Sequence, residues 1–284
     1  GWYDGDKIRF REGYPEKIGG WTVATLDQYA GEAVKLFVYS TFSGVELAGL
    51  ATSQKIYIRA GTTLHDITPI RATFTSTDTD NCFTTVLDSG VVTVAITGHG
   101  ATDGDFVTFS GATAVGGITD VQLNQNFEIT YIDANSFSIS TAGTATSAAT
   151  GGGTGITAAF EINIGPDVAA QGYGWGTDTW GRSTWGSGST LPVDTQIRLS
   201  FMDNFNDDLI FNLSNEGPIY YWDYSAGLNT RAVLLSSLSG AIAVPAKTEQ
   251  IFFAPSGHLL ALGCSEYSEV STAGETINTI TRVP

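Results

Sequence analysis

The stretch Val45-Glu46-Leu47-Ala48-Gly49-Leu50, then a Thr52-Ser53-Gln54 turn, then Lys55-Ile56-Tyr57-Ile58-Arg59, reads as two short strands folded back on each other. Apolar residues recur in strand-length runs, and the polar, small residues between them suit a tight turn. Working outward, Val34 to Tyr39 precedes this pair and Leu64 to Thr68 follows it, separated by Ser43-Gly44 and Ala60-Gly61. Four short antiparallel strands joined by turns of that length make one blade of a β-propeller. The pattern returns in Asp208-Leu209-Ile210-Phe211-Asn212-Leu213 leading to Pro218-Ile219-Tyr220-Tyr221-Trp222-Asp223, and again in Gly257 to Gly263. The offset from Leu209 to Leu259 is 50 residues, which fits the roughly 40 to 50 residues of a blade.

Composition agrees with an all-β chain. The 284 residues include 34 glycines and many aromatics, and only 15% are charged, a balance suited to short strands and tight turns with almost no helix. A chain of this length buries a substantial core and accommodates two units. The opening from Trp2 to Trp21 alternates around Ile8 and Phe10 and breaks at Gly13 and Pro15, as a hairpin does. Between about Thr75 and Ile162 tryptophan disappears, Ala, Thr and Gly dominate, and new alternating strands are expected at Val91 to Ile96, Phe106 to Ser110, Asn126 to Asp133 and Ser136 to Ser140. The expectation is therefore a propeller-like platform of four-stranded blades in residues 1–74 and 163–284, with a small β-sandwich inserted at 75–162. Thr141 to Gly155, built mainly from Ala, Thr and Gly, is expected to be a floppy loop at the edge of that insert. Further platform strands are expected at Gln196 to Phe201, Leu209 to Leu213, Ile219 to Trp222, Gln250 to Phe253 and Leu259 to Leu262. The chain starts at Gly1 and stops at Pro284 inside a strand-like pattern, so a longer or cleaved natural product is expected.

Thirteen basic residues against 29 acidic ones give a formal charge of −16, the opposite of what displaces counterions from a phosphate backbone. The charge argues against tight nucleic-acid binding but not against DNA as a passing neighbour, and it serves equally to maintain solubility. Two unit charges ~10 Å apart in water repel by only about 0.4 kcal/mol before screening. Cys82 and Cys264 are too few for a disulfide scaffold and read as two free, buried thiols. No run approaches the ~18 apolar residues of a membrane-spanning helix, and no charged-then-apolar leader opens the chain.

Catalytic signatures are missing. With only His65, His99 and His258, there is no zinc-binding His-Glu-x-x-His helix, no Gly-x-Ser-x-Gly elbow and no phosphate-binding Gly-Lys-Ser/Thr loop. His65 and His258 read as structural, and His99 beside Asp103 only imitates a base with its orienting acid. The acidic runs Asp78-Thr79-Asp80-Asn81, Asp103-Gly104-Asp105 and Asp203 to Asp208 offer oxygens that calcium prefers, yet none matches a twelve-residue calcium loop. Turn chemistry explains them, and no facing carboxylate pair of the glycosidase kind is marked. The expectation is a chain that is not an enzyme, with no cofactor and no metal.

Trp-Gly recurs at Trp175-Gly176, Trp180-Gly181 and Trp185-Gly186. A glycine beside each indole leaves room for the ring to lie flat against backbone, and Arg182 is placed to stack on an indole face. Trp175, Trp180, Arg182 and Trp185 are the candidate stacking or interface residues. They read first as a long loop pinned against the platform or a neighbouring subunit, and second as a glycan-binding surface on a tail or extracellular module. A propeller hydrolase is a third, weaker class.

Three stretches resemble one family. They are Asp4-Gly5-Asp6 through Arg9-Phe10-Arg11 to Pro15-Glu16-Lys17-Ile18-Gly19-Gly20-Trp21, then Leu64-His65-Asp66-Ile67-Thr68-Pro69, and Tyr173-Gly174-Trp175-Gly176 through Trp180-Gly181. They are similar to the tail nozzle, or distal tail-tube protein, of short-tailed bacteriophages. The insert, with His99 to Asp105 leading to Asp133-Ala134-Asn135-Ser136-Phe137, also resembles the small β-domains that decorate phage tail proteins. The resemblance implies a virion structural protein that assembles as a ring, by analogy a hexamer. The ring would lie below the tail adaptor, with genomic double-stranded DNA passing through its lumen without specific binding. Nozzle proteins of this kind run several hundred residues further, and only about three blades are visible here.

Overall fold

The computed structural model describes residues 8–17, 25, 27–75, 78–164, 200–213, 217–241, 244–254, 256–264 and 279–281. Across them the protein is all-β. The first hairpin pairs β1 (Ile8–Arg11) with β2 (Tyr14–Lys17). Its two-residue turn has positive φ at both Glu12 (52°) and Gly13 (84°), the twist that matches two strands in a tight hairpin.

The first four-stranded sheet follows as an antiparallel meander of β3 (Ala33–Ser40), β4 (Glu46–Thr52), β5 (Ile56–Ala60) and β6 (Thr63–Asp66). These are the four strands expected from the opening pattern. Tyr39, Leu47, Ala51, Ile56 and Ile58 point from it into a shared core.

The chain then enters the insert through β7 (Ile70–Thr75), β8 (Phe83–Thr85), β9 (Val91–Ala95) and β10 (Phe106–Ser110). A one-turn helix, α1 (Asp120–Leu123), carries a capping box between Thr119 and Gln122. Next come β11 (Asn126–Glu128), β12 (Thr130–Asp133), β13 (Ser136–Ser140), β14 (Ala149–Gly151) and β15 (Thr157–Glu161). Two antiparallel sheets result, in the orders β11-β10-β15-β7 and β12-β13-β9-β8-β14. They close around one core in which Phe83, Phe109, Phe137 and Phe160 are fully buried. The entering strand β7 and the leaving strand β15 pair with each other, Ile70 opposite Glu161 and Thr75 opposite Thr157.

Two expectations for the insert are corrected. Asn126 to Asp133 is not one strand. It breaks at Ile129, whose N–H donates to the Asp105 carbonyl while its own carbonyl accepts from Gly104, and the two halves join opposite sheets, as at a sandwich corner. Thr141 to Gly155 is not floppy either. Thr141 and Ala145 donate to Gly90 and Ser89, Ala145 is buried, and β14 pairs with β8. Small residues do here what large ones cannot: at Gly152, φ 112°, an added Cβ would stand 2.5 Å from the Phe83 ring, so the backbone itself packs against the core.

The second sheet comprises β16 (Ser200–Phe205), β17 (Asp208–Leu213), β18 (Ile219–Trp222) and β19 (Val233–Leu234), again in consecutive order. The third comprises β20 (Gln250–Phe253), β21 (Leu259–Leu262) and β22 (Thr279–Thr281). The second sheet is covered on both faces. Met202, Leu209, Phe211, Tyr220 and Trp222 share the core of the first sheet, while Ile210, Ile219, Phe201 and Tyr221 pack with Ile251, Leu259 and Ala261 of the third. This explains why β17 is a nearly unbroken apolar run and not an alternating one. Three stacked meanders are blade-like in order and packing; closure into a propeller ring is not among the described features.

Gly49 lets the first two sheets meet, since a Cβ there would lie 3.1 Å from both Leu209 Cδ2 and Met202 Sδ. Gly49→Val is therefore expected to destabilise the chain by about 1–3 kcal/mol through overpacking, read as a lower urea midpoint with unchanged slope.

Candidate functional site

Among the described residues, a set of buried and half-buried ion pairs gathers where the insert meets the first and second sheets. Lys55, one residue before β5, is 3% exposed, and Glu161, the last residue of β15, is 1% exposed. The Lys55 ammonium donates to Asp66 Oδ2 at 2.7 Å, to Glu161 Oε1 at 3.0 Å and to Asn126 Oδ1 at 2.9 Å. It also stands 4.3 Å from the centre of the Phe106 ring, a cation–π contact. Arg231, just before β19, brings Nη1 to 2.5 Å from Asp66 Oδ1 and Nη2 to 3.0 Å from Glu161 Oε1. Asn126 Nδ2 donates to Glu161 Oε1 at 2.8 Å. Two cations and two carboxylates thus interlock the first sheet, the insert and the second sheet.

The two carboxyls are pushed in opposite directions. Burial raises Asp66, but the charges of Lys55 and Arg231 outweigh it and hold the group below the usual carboxylate range. Burial, followed by the neighbouring negative charge of Asp66, pushes Glu161 up against the pull of the same two cations. A pair separated in this way is the pattern of an acid and a base. Here, however, Lys55 and Arg231 occupy the space between the two carboxylates and Glu161 is sealed from solvent, so the arrangement is a clamp.

The histidines and acidic runs have structural partners. His99 is buried, stacked on Phe160 and edge-on to Phe137. Its Nδ1 accepts from the Ala101 N–H at 3.0 Å, which leaves Nε2 as the donor to the Asp133 carbonyl, also at 3.0 Å. Asp103 accepts instead from Tyr131 N–H, so the two do not form a base–acid pair. His65 Nδ1 meets Asn229 Oδ1 at 2.7 Å, and His258 Nδ1 meets Ser256 Oγ at 3.0 Å.

The run Asp203 to Asp208 is shared out among three sheets. Asp207 Oδ1 accepts from Phe42 N–H at 2.6 Å, reaching the β3–β4 turn. Asp203 Oδ2 accepts from Phe253 N–H at 2.7 Å, reaching β20. Asp208 accepts from Tyr224 N–H and from the Tyr221 hydroxyl; burial first, and that bond second, push the Tyr221 phenol up. In the insert, Asp80 and Asn81 hold Gly155 and Gly153, and Asp105 holds Thr102 and Asn163. Among the described residues no group of three or more His, Cys, Asp or Glu is arranged to hold a metal, and no helix is long and apolar enough to cross a membrane. Cys82 and Cys264 are free and buried in separate cores. Burial pushes the Cys82 thiol up to about 12.

Trp175, Trp180, Arg182 and Trp185 lie outside the described residues. The clamp itself escaped the sequence reading. Its members stand at 55, 66, 126, 161 and 231, and the one local signal is a lysine inside an otherwise apolar strand pattern.

No family model matches the chain, and no curated protein matches it. Among solved structures it is similar to one titled "Phage phi92 endosialidase", with 15% identity and a TM-score of 0.28 over 88% of this chain. The chain spans 36% of that protein's length. The expectation that the chain is not an enzyme is corrected by this comparison, since an endosialidase is an enzyme. At this TM-score the likeness gives the chain no activity, substrate or assembly.

Removing the clamp's central cation leaves Glu161 buried without its nearest compensation, so Lys55→Ala is expected to cost about 3–5 kcal/mol, measured by denaturant unfolding. The Asp66→Asn penalty should depend on pH. Because the folded Asp66 carboxyl is held below its ordinary value of about 3.9, its contribution is complete above that value and lost as pH falls through the lower folded one. Wild type and Asp66→Asn should therefore differ in melting temperature at pH 7, and the difference should begin to shrink only as pH falls below about 4, vanishing beneath the lower folded value.

Proposed function

We propose that the chain is a structural subunit of a phage tail, a nozzle or distal tail-tube component that assembles as a ring around the path of the ejected genome. The observation that carries this reading is the second sheet, buried on both faces between two further antiparallel meanders. A body of stacked sheets of this kind is stiff, because each sheet is cross-braced by its own ladder and by the packing on either side. The sequence resemblance of residues 4–21, 64–69 and 173–181 to nozzle proteins supplies the biological setting. In this reading the platform forms the propeller-like wall, and the insert, entered through β7 and left through β15, decorates it.

Genome passage follows from charge. A chain at −16 offers DNA no net counterion release, so a lumen lined by such subunits repels phosphates weakly and holds none of them. Ring copies, by analogy six, close the channel, and a tail adaptor caps it. The virion is then where the protein resides.

Particles assembled without this chain test the proposal. Their tails are expected to end short and to fail at DNA ejection into host cells, and antibody raised against the insert should label the tail tip of intact particles. Complete, ejection-competent tails in its absence would overturn the proposal.

A further inference from the structure

His99 alone of the three histidines is fully buried, at 1% exposed, and both of its ring nitrogens are committed. Nδ1 accepts the Ala101 N–H at 3.0 Å, and Nε2 donates to the Asp133 carbonyl at 3.0 Å. Only the neutral ring with its proton on Nε2 does both. A second proton would sit on Nδ1, facing the Ala101 N–H donor to donor, and would place a buried charge between Phe137 and Phe160.

The charged and titratable groups around the ring do little to offset this. From β7, Arg71 Nη2 donates to the His99 carbonyl at 3.2 Å, bringing a charge of the same sign as an imidazolium. From β12, the Asp133 carboxylate is exposed and accepts the Asn135 N–H, and Tyr131 stands edge-on at 6.2 Å. A carboxylate in water pulls weakly on a buried proton. On the same loop as His99, Asp103 accepts from Tyr131 N–H, and Asp105 from Thr102 N–H and the Asn163 amide. β13 and β15 present Phe137 and Phe160, and Glu161 beside the latter is held by Lys55 and Arg231.

The loop that His99 anchors lies between β9 and β10. Gly98 N–H donates to the Ala134 carbonyl in the β12–β13 turn, and Asn163, just past β15, donates to Thr102 Oγ1 and Asp105 Oδ1. With Arg71 reaching it from β7, the loop ties the sheet of β12 and β13 to the strands by which the chain enters and leaves the insert. We infer that His99 is an acid-sensitive latch, and that protonating its ring releases the loop 97–105 and loosens this end of the insert. A ring freed into water takes up a proton at about pH 6.5, whereas the latched ring has no place for one, so acid favours opening. Between about pH 7.5 and about pH 5.5 the open fraction of the loop rises about tenfold.

Hydrogen exchange of the full chain, corrected for the intrinsic pH dependence of amide exchange and read by mass spectrometry on peptides spanning 97–105, tests the latch. Protection there is expected to fall about tenfold across that pH interval and to return on neutralisation, while peptides from β10 and β13 keep theirs. In His99→Gln, whose amide does not titrate, the loop is expected to be equally protected at both pH values. The double variant His65→Gln/His258→Gln leaves His99 as the only histidine and decides the matter even if His99→Gln fails to fold by circular dichroism. It is expected to keep the full response, since His65 and His258 meet Asn229 and Ser256 outside the insert. Equal protection of the wild-type loop at both pH values, a response that persists in His99→Gln, or one that disappears in the double variant overturns the latch.

Discussion

The placement of the insert depends on one buried charge cluster. Lys55 and Asp66 come from the first sheet, Glu161 and Asn126 from the insert, and Arg231 from the second sheet. Buried ion pairs of this kind add little net stability compared with well-packed apolar residues, because desolvation offsets most of the Coulomb gain. Their consequence is directional. A greasy interface tolerates sliding, whereas two carboxylates and two cations within hydrogen-bond reach of one another are satisfied in one arrangement and leave a buried charge exposed to loss in any other. The paired crossing strands β7 and β15 add a second restraint, since the chain enters and leaves the insert as neighbouring strands of one ladder.

Acidic side chains extend the same logic through the platform. Asp203 lies within β16 and Asp207 in the turn that follows it, yet they tie backbone N–H groups of the third and first sheets respectively. A charged carboxylate bonds an N–H more strongly than a neutral acceptor does, so the acidity of the chain is partly consumed in holding sheets in register. The absence of a side chain at Gly49 completes the fit between the first two sheets. Together these features make a body whose parts do not slide.

The all-β class and most strands were legible in the sequence because alternation survives wherever one face of a sheet is exposed. β3 to β6, β10 and β13 follow from that pattern directly. The pattern fails where its physical basis fails. β16 carries Asp203 and Asn204, residues poor in strands: the Asp203 side chain straps β20, and the Asn204 amide donates to the Asn206 carbonyl in the turn. Ile129 gives no sign that the strand turns a corner there, since the turn is made by backbone bonds to Gly104 and Asp105. Thr141 to Gly155 has few bulky residues yet packs, because small residues allow backbone to approach Phe83 directly. The clamp was illegible for a different reason: its charges come from five separate positions, and only the folded topology brings them together.

The central claim is that platform and insert form one rigid piece held by the charge cluster, and a distance between two spin labels measures this directly. Labels at Ser40→Cys in the first sheet and Val121→Cys on the insert are both exposed, while the native Cys82 and Cys264 are buried and stay unlabelled. A single narrow distance distribution that broadens on Lys55→Ala is the predicted result. A distribution already broad in the wild type, or one that Lys55→Ala leaves unchanged, would contradict the account.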